Sequence, residues 1–453
     1  MAIALSEHFN YKKLLRFVAP TIVMMVFTSI YSIVDGLFIS NFVGEGAVTA
    51  INFIFPLIMV LGSIGFMLGA GGSALVSKVL GEGDEKKANE YFSLLVYFTA
   101  AVGLIIMAVG QAVIPQCAVL LCGESEGIIY DYCVIYGRIL LAGQPFFILQ
   151  NIFQSFFVTA EKPRLGLVTV AAAGILNMVL DAAFVAGAGW GLEGAGWATT
   201  SSEILGGLAP VFYFARKNKS LLRLTRTRFY FKAILKSATN GSSEFLSNVA
   251  SSVIIMLYNF QLKNLAPDGG VAAYGAIGYV AMIFFSVFMG FGVGIVPLIG
   301  YNYGAENKAE LRNLYRKGLI ITAISGVLMT VLSEALAEPL VGMFGYSEEL
   351  RAMTLHGYRI FSLSYILLGF GTFGSALFTA LNNGLISAVI SFARTLVFRL
   401  VAVMVLPLFW GLDGVWTSAC VSEIVSFVMT FALIIAYGRS YGYSDTGFSR
   451  AKS

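Results

Sequence analysis

The sequence predicts an all-α polytopic membrane protein, with twelve transmembrane helices in two pseudo-symmetric six-helix lobes. Three observations predict it. The 453 residues are 58% hydrophobic and 12% charged, with a mean hydropathy of +0.81, whereas soluble domains carry about 25% charged residues. Apolar runs of about 20 residues or more, enough to cross a bilayer, recur along the whole chain. The second half also repeats the first at a nearly constant offset.

The runs fall at 14–43, 47–79, 91–114, 128–160, 165–188 and 190–215, then at 233–263, 270–301, 314–338, 348–380, 385–409 and 412–437. This divides the chain into an N-terminal lobe (1–215), a basic linker (216–232), a C-terminal lobe (233–437) and a polar tail (438–453). The first run is too long for a signal-peptide core and lacks a small-residue cleavage site. With both termini cytoplasmic, almost every Lys and Arg lies on the inner side, as the positive-inside rule requires. Only Lys263 and Arg351 fall outside, and Arg138, Arg359, Arg394 and Arg399 lie within spans. The linker and tail are thus expected to be cytoplasmic. The charge of +4 follows topology and gives no sign of a nucleic-acid partner.

The repeat is explicit. GLEGAGWATTSSEI (191–204) matches GLDGVWTSACVSEI (411–424), and FFVTA (156–160) matches ALFTA (376–380), both at an offset of 220. Gly69, Gly71, Leu75 and Gly81 match Gly292, Gly294, Leu298 and Gly304 at 223. Six spans per repeat preserve orientation, so the repeat is parallel, an architecture of secondary transporters that bind substrate at the repeat interface. Glycine-rich runs in spans two and eight let helices approach closely. The four cysteines show no CxxC pairing and the two histidines cannot build a usual zinc site, so no cofactor is expected. No Ser-His pairing or phosphate-binding signature points to an enzyme.

Polar residues inside the spans carry the functional signal, because a charge in the bilayer costs roughly 2.5 kcal/mol or more. Asp35 is the one charge between Arg16 and Glu45, roughly 28 Å along the helix from Arg16 at 1.5 Å per residue. Asn177 and Asp181 are four apart on span five, hence on one face. With Thr199 of span six they lie at the depth of Asp35, an oxygen set suited to a monovalent cation such as Na+, to a proton, or to a hydrogen-bonded network joining helices. Glu203 and Glu423 occupy equivalent repeat positions, which favours a shared structural role such as pairing with Arg394 or Arg399. Arg138 and Arg359 are repeat-related too and read as structural. Glu244 of span seven is a candidate either for binding a cationic substrate or for a structural role. At the 220 offset, Asn177, Asp181 and Thr199 correspond to Val397, Val401 and Ala419, so the cation site is expected in the N-lobe alone.

PTIVMMVFTSIYSIVDGLFISNFVG, GFMLGAGGSALVSKVLGEGDEKKA, NMVLDAAF and GLEGAGWAT resemble the multidrug and toxic compound extrusion (MATE) family, in its DinF-like and MepA-like bacterial branch. The resemblance spans the chain and implies a multi-pass protein of the bacterial inner membrane. It implies the two-lobe MATE fold and a cation-coupled antiporter, driven by H+ or Na+, that exports drugs and organic cations by alternating access. It places cation coupling on Asp35, Asn177, Asp181 and Thr199. Small amphiphilic cations and the bilayer are the implied partners of a monomer. The alternative is a flippase of lipid-linked sugars or another amphiphilic metabolite from the same superfamily.

Overall fold

The computed structural model describes residues 3–123, 127–267 and 269–445. Its helices are α1 (Tyr11–Phe42), α2 (Glu45–Gly81), α3 (Glu85–Cys122), α4 (Ile128–Thr159), α5 (Pro163–Asp181), α6 (Gly191–Ala215), α7 (Phe231–Asn240), α8 (Ser242–Leu265), α9 (Gly270–Gly304), α10 (Lys308–Ala335), α11 (Ala337–Gly342), α12 (Glu348–Ser362), α13 (Tyr365–Ala380), α14 (Gly384–Phe392), α15 (Arg399–Val405), α16 (Pro407–Trp410) and α17 (Leu412–Tyr441). Two π-helical segments, Ala182–Gly187 and Ala393–Phe398, extend α5 and join α14 to α15. Among the described residues there is no strand, as expected for a chain whose backbone must satisfy its hydrogen bonds within lipid.

Ten helices, some of them combined, are long and apolar enough to cross a membrane, and α12 with α13, bent by 49°, make an eleventh. The 25-residue α6 packs beside α4 and α5 and completes the twelve. Its Gly, Ser and Thr content dilutes its hydropathy without changing its place in the bundle. Two expected spans are not straight. Span seven breaks at Gly241 into α7 and α8, and span ten breaks between Ser362 and Tyr365.

The repeat is visible in the backbone. After α2 and α9, left-handed residues Gly83 and Glu306 open the turns into α3 and α10; after α4 and α13, Glu161 and Asn382 do the same before α5 and α14. Within each lobe one helix is most enclosed, α4 in the first and α9 in the second. The lobes meet where α1 packs on α9 and where α2 packs on α7, α8 and α9.

Glycines make that seam. A Cβ at Gly81 would overlap the carbonyl oxygen of Tyr301, and one at Gly304 would overlap that of Lys78. These are the two glycines matched by the sequence repeat, so α2 and α9 touch backbone to backbone in a pseudo-symmetric pair. The same end of the molecule, marked by its basic residues, carries a strap ahead of α1. Leu5 and Phe9 are fully buried. The Leu5 amide donates to Glu161 Oε1 at 2.7 Å. The Phe9 amide donates to Glu310 Oε1 at 2.9 Å, His8 Nδ1 lies 2.6 Å from Glu310 Oε2, and Lys317 Nζ donates to the Phe9 carbonyl at 2.6 Å. Residues 3–10 therefore bind both lobes. Buried between them, the Glu161 carboxyl is pushed up from the usual carboxylate range.

All four cysteines are free; Cys122 and Cys133 touch, with their sulfurs 3.2 Å apart, but are not bonded. Arg359 pairs with Glu338 at 3.3 Å, while its repeat mate Arg138 is exposed and only its carbonyl is engaged, by Gln111.

Candidate cation site in the first lobe

Asp35 sits in the last third of α1. Its carboxyl faces Asp181 and Asn177 of α5. Two features bring α1 and α5 together. Gly174 has no side chain where a Cβ would stand 2.6 Å from Phe27 and 2.8 Å from Tyr31, so α1 lies flush on α5. Two turns further, Asp181 closes α5 immediately before the π segment, a widened turn of the kind that often marks functional sites. Asn177 and Asp181 are 1% and 0% exposed.

Asp35 Oδ1, both Asp181 oxygens and both amide atoms of Asn177 are buried and make no well-formed hydrogen bond, although the side chains neighbour one another. On α6, the Thr199 hydroxyl is also buried and unpaired. Buried polar groups are ordinarily paired, so this concentration in one place fits a site for an oxygen-seeking monovalent cation or proton. Among the described residues no group of three His, Cys, Asp or Glu has metal-holding geometry, which leaves an amide- and hydroxyl-assisted carboxylate pair. Thr199 lies one turn before Glu203 on the same face of α6.

Glu203 differs from expectation. Its repeat mate Glu423 pairs with Arg399 at 3.2 Å and Arg394 at 3.8 Å. Glu203 pairs with neither; its charged neighbour is Asp35, and Tyr31 and Tyr136 stand close to both acids. Gly143 makes room for it, since a Cβ there would lie 2.5 Å from Glu203 Oε2. Equivalent positions thus have unlike partners.

In the second lobe the equivalents of Asn177 and Asp181, Val397 and Val401, are 41% and 51% exposed and face outward from the bundle. The ionic group there is the Arg394–Glu423–Arg399 cluster, with Arg394 in the second π segment. Removing one member of a buried ion pair costs about 3–5 kcal/mol. Glu423→Gln is therefore expected to lower the melting temperature of the purified protein markedly, and an unchanged melting curve would count against a structural role.

Between the lobes, a crevice of about 30 Å³ is lined by Ser73, Ser155, Glu244, Met289, Thr372 and Thr379 among others. Glu244 also faces Arg394. Such a space admits a water or two, whereas drug-sized ligands occupy roughly 300–1,000 Å³.

Comparison with known proteins decides the family. The MatE family model matches residues 20–183 and 245–405, one match in each lobe. The chain belongs to the MatE family. MatE proteins are membrane transporters rather than enzymes. This MatE protein is 26% identical over 429 residues to the multidrug export protein MepA of Staphylococcus haemolyticus, covering 94% of this chain and 93% of that one. It is 23% identical over 430 residues to MepA of Staphylococcus aureus strain MRSA252, with the same coverage. Among solved structures, MATE in complex with MaL6 superposes with a TM-score of 0.89 at 21% identity, covering 94% of this chain and 96% of that one. An outward-facing multidrug resistance MATE family transporter gives 0.88 at 21%, covering 94% and 95%. These overlays establish the two-lobe fold of the MatE protein.

Proposed function

We propose that this MatE protein is a multidrug exporter that exchanges organic cations and drugs for an inward-moving monovalent cation, Na+ or H+, by alternating access. The observation that carries the reading is the cluster of Asp35, Asp181 and Asn177, which with Thr199 of α6 holds several buried oxygens without a well-formed hydrogen bond. The protein's likeness to multidrug export proteins of staphylococci supports drug export. The cation is cargo: its entry neutralises the carboxylates and favours one arrangement of α1 against α5, and its release restores the other. Drugs occupy the inter-lobe crevice once the lobes separate. Glu244 supplies negative charge there, and Met289 a deformable apolar contact. Glu244 is partly offset by Arg394, which tunes its pull on a cationic drug. The flippase alternative needs free buried cations for a pyrophosphate, and Arg394 and Arg399 are both taken up with Glu423.

The test is reconstitution in liposomes with sodium and pH gradients imposed separately and a cationic dye as cargo. Dye movement driven by either gradient supports the reading; movement indifferent to both refutes it.

The basic end is assigned to the cytoplasm, with both termini and the 216–230 connection. Lys219 and Ser347 are both exposed and, on this assignment, lie on opposite sides of the membrane. In whole cells, a membrane-impermeant thiol reagent is expected to label Ser347→Cys and to miss Lys219→Cys. The reverse labelling would invert the topology.

A further inference from the structure

We infer that Glu203 is a third anionic member of the first-lobe cation site, and that it raises by one the number of positive charges that lobe takes up per transport cycle. The inference rests on the cation-coupled reading above and specifies its stoichiometry.

The two related lobes balance buried charge differently. Each places a glutamate at the same repeat position, and both are buried: Glu203 is 9% exposed and Glu423 is 1% exposed. A buried carboxylate needs a compensating charge. In the second lobe two fixed guanidinium groups supply it. In the first lobe, the repeat equivalents of Arg394 and Arg399 are Gly174 and Val179. Beyond Arg16 in α1, and beyond Arg164 through the rest of α5 and all of α6, there is no Lys or Arg. Arg138 of α4 is exposed. Three acids, Asp35, Asp181 and Glu203, thus share an interior without fixed positive charge.

A second observation shows that Glu203 belongs to a binding arrangement rather than to a packed network. Gln150 of α4 is 5% exposed, its Oε1 has no protein partner, and it borders α6 at Gly206, one turn beyond Glu203. Gln150 neighbours the Tyr31 hydroxyl, which also faces Glu203 and Asp35. Glu203 Oε2 is likewise buried and unpartnered. Tyr31, which neighbours both side chains, thus stands beside two buried side chains that each keep one acceptor oxygen unpaired. Unpaired buried acceptors beside an uncompensated carboxylate are what a further positive charge, Na+ or a proton, would satisfy. The swap of arginine for glycine at position 174 explains both changes: it removes the fixed charge, and it lets Tyr31 and Asp35 of α1 close on α5.

The experiment counts charge. In liposomes with a known dye gradient, the membrane voltage at which dye flux reverses gives the charges exchanged per cycle, measured in one arm with Na+ varied at fixed pH and in the other with pH varied without Na+. The arm that shifts the reversal voltage identifies the ion. Glu203→Gln is expected to lower the count by one. Where that variant is poorly folded, Glu203→Met, of similar length and apolar, serves instead, with a folded elution profile required. On detergent-purified protein, calorimetric binding of Na+ alone or proton release on dye addition should fall by one equivalent in the same arm. A wild-type protein with no cation dependence would defeat the cation-coupled reading itself. A cation-dependent wild type whose count survives both substitutions would overturn the role of Glu203 alone.

Discussion

Asp35→Asn is expected to reduce gradient-driven dye transport to the level of protein-free liposomes while leaving the protein folded. The substitution keeps size and shape and removes one charge. Because Asp35 faces Asp181, removing its charge relieves repulsion between two carboxyls, so stability should hold or rise slightly. What disappears is the difference between the cation-loaded and empty states. A ligand shifts a conformational equilibrium only through its differential affinity for the two states, and a neutral residue here gives the cation little to distinguish. Drug binding to the purified variant should persist, because the inter-lobe crevice lies elsewhere. The measurement is paired: dye uptake against a sodium or pH gradient, and dye binding by fluorescence. Uptake at the wild-type rate would remove Asp35 from the mechanism.

The second large effect is expected at the glycine seam. Gly81→Ala places a methyl group into the Tyr301 carbonyl, and Gly304→Ala places one into the Lys78 carbonyl. The obstructing atoms are backbone in both cases, so no side chain can rotate away. Overpacking of this kind costs about 1–3 kcal/mol. That cost falls only on the arrangement in which α2 and α9 touch, so each substitution should shift the lobes toward separation at the basic end by roughly 5- to 150-fold. The pair together should exceed either alone. Spin labels on α3 and α10 at that end, read by double electron–electron resonance, should show a longer distance population. An unchanged distribution would mean that the seam does not open during transport.

The twelve crossings and the repeat were legible because hydropathy and glycine spacing are local signals. The breaks at Gly241 and near Ser364 were not, since a glycine or serine in an apolar run reads equally well as straight helix. Asp35, Asn177 and Asp181 were legible as polar residues in apolar surroundings, and the structure brings them together. The expectation that Glu203 shares the arginine partners of Glu423 fails for a physical reason. The repeat fixes backbone position, whereas a carboxylate's role is fixed by neighbours on other helices. The sequence signal that distinguishes Glu203 from Glu423 was present in the absence of any basic residue from α5 beyond Arg164 and from α6. The strap was hidden because only Leu5 and Phe9 mark it, and its partners lie far away in sequence.

That distance has a consequence for how the molecule is made. Phe9 docks on Glu310, 301 residues later, so at synthesis rates of about 5–20 residues per second the strap waits roughly 15–60 s for its partner. During that interval Leu5 and Phe9 can find only the Glu161 side of their site. The earliest residues of the described chain are therefore among the last to reach their final place, after α10 has inserted. A first lobe produced alone would hold Leu5 on the Glu161 side and leave Phe9 without its Glu310 partner.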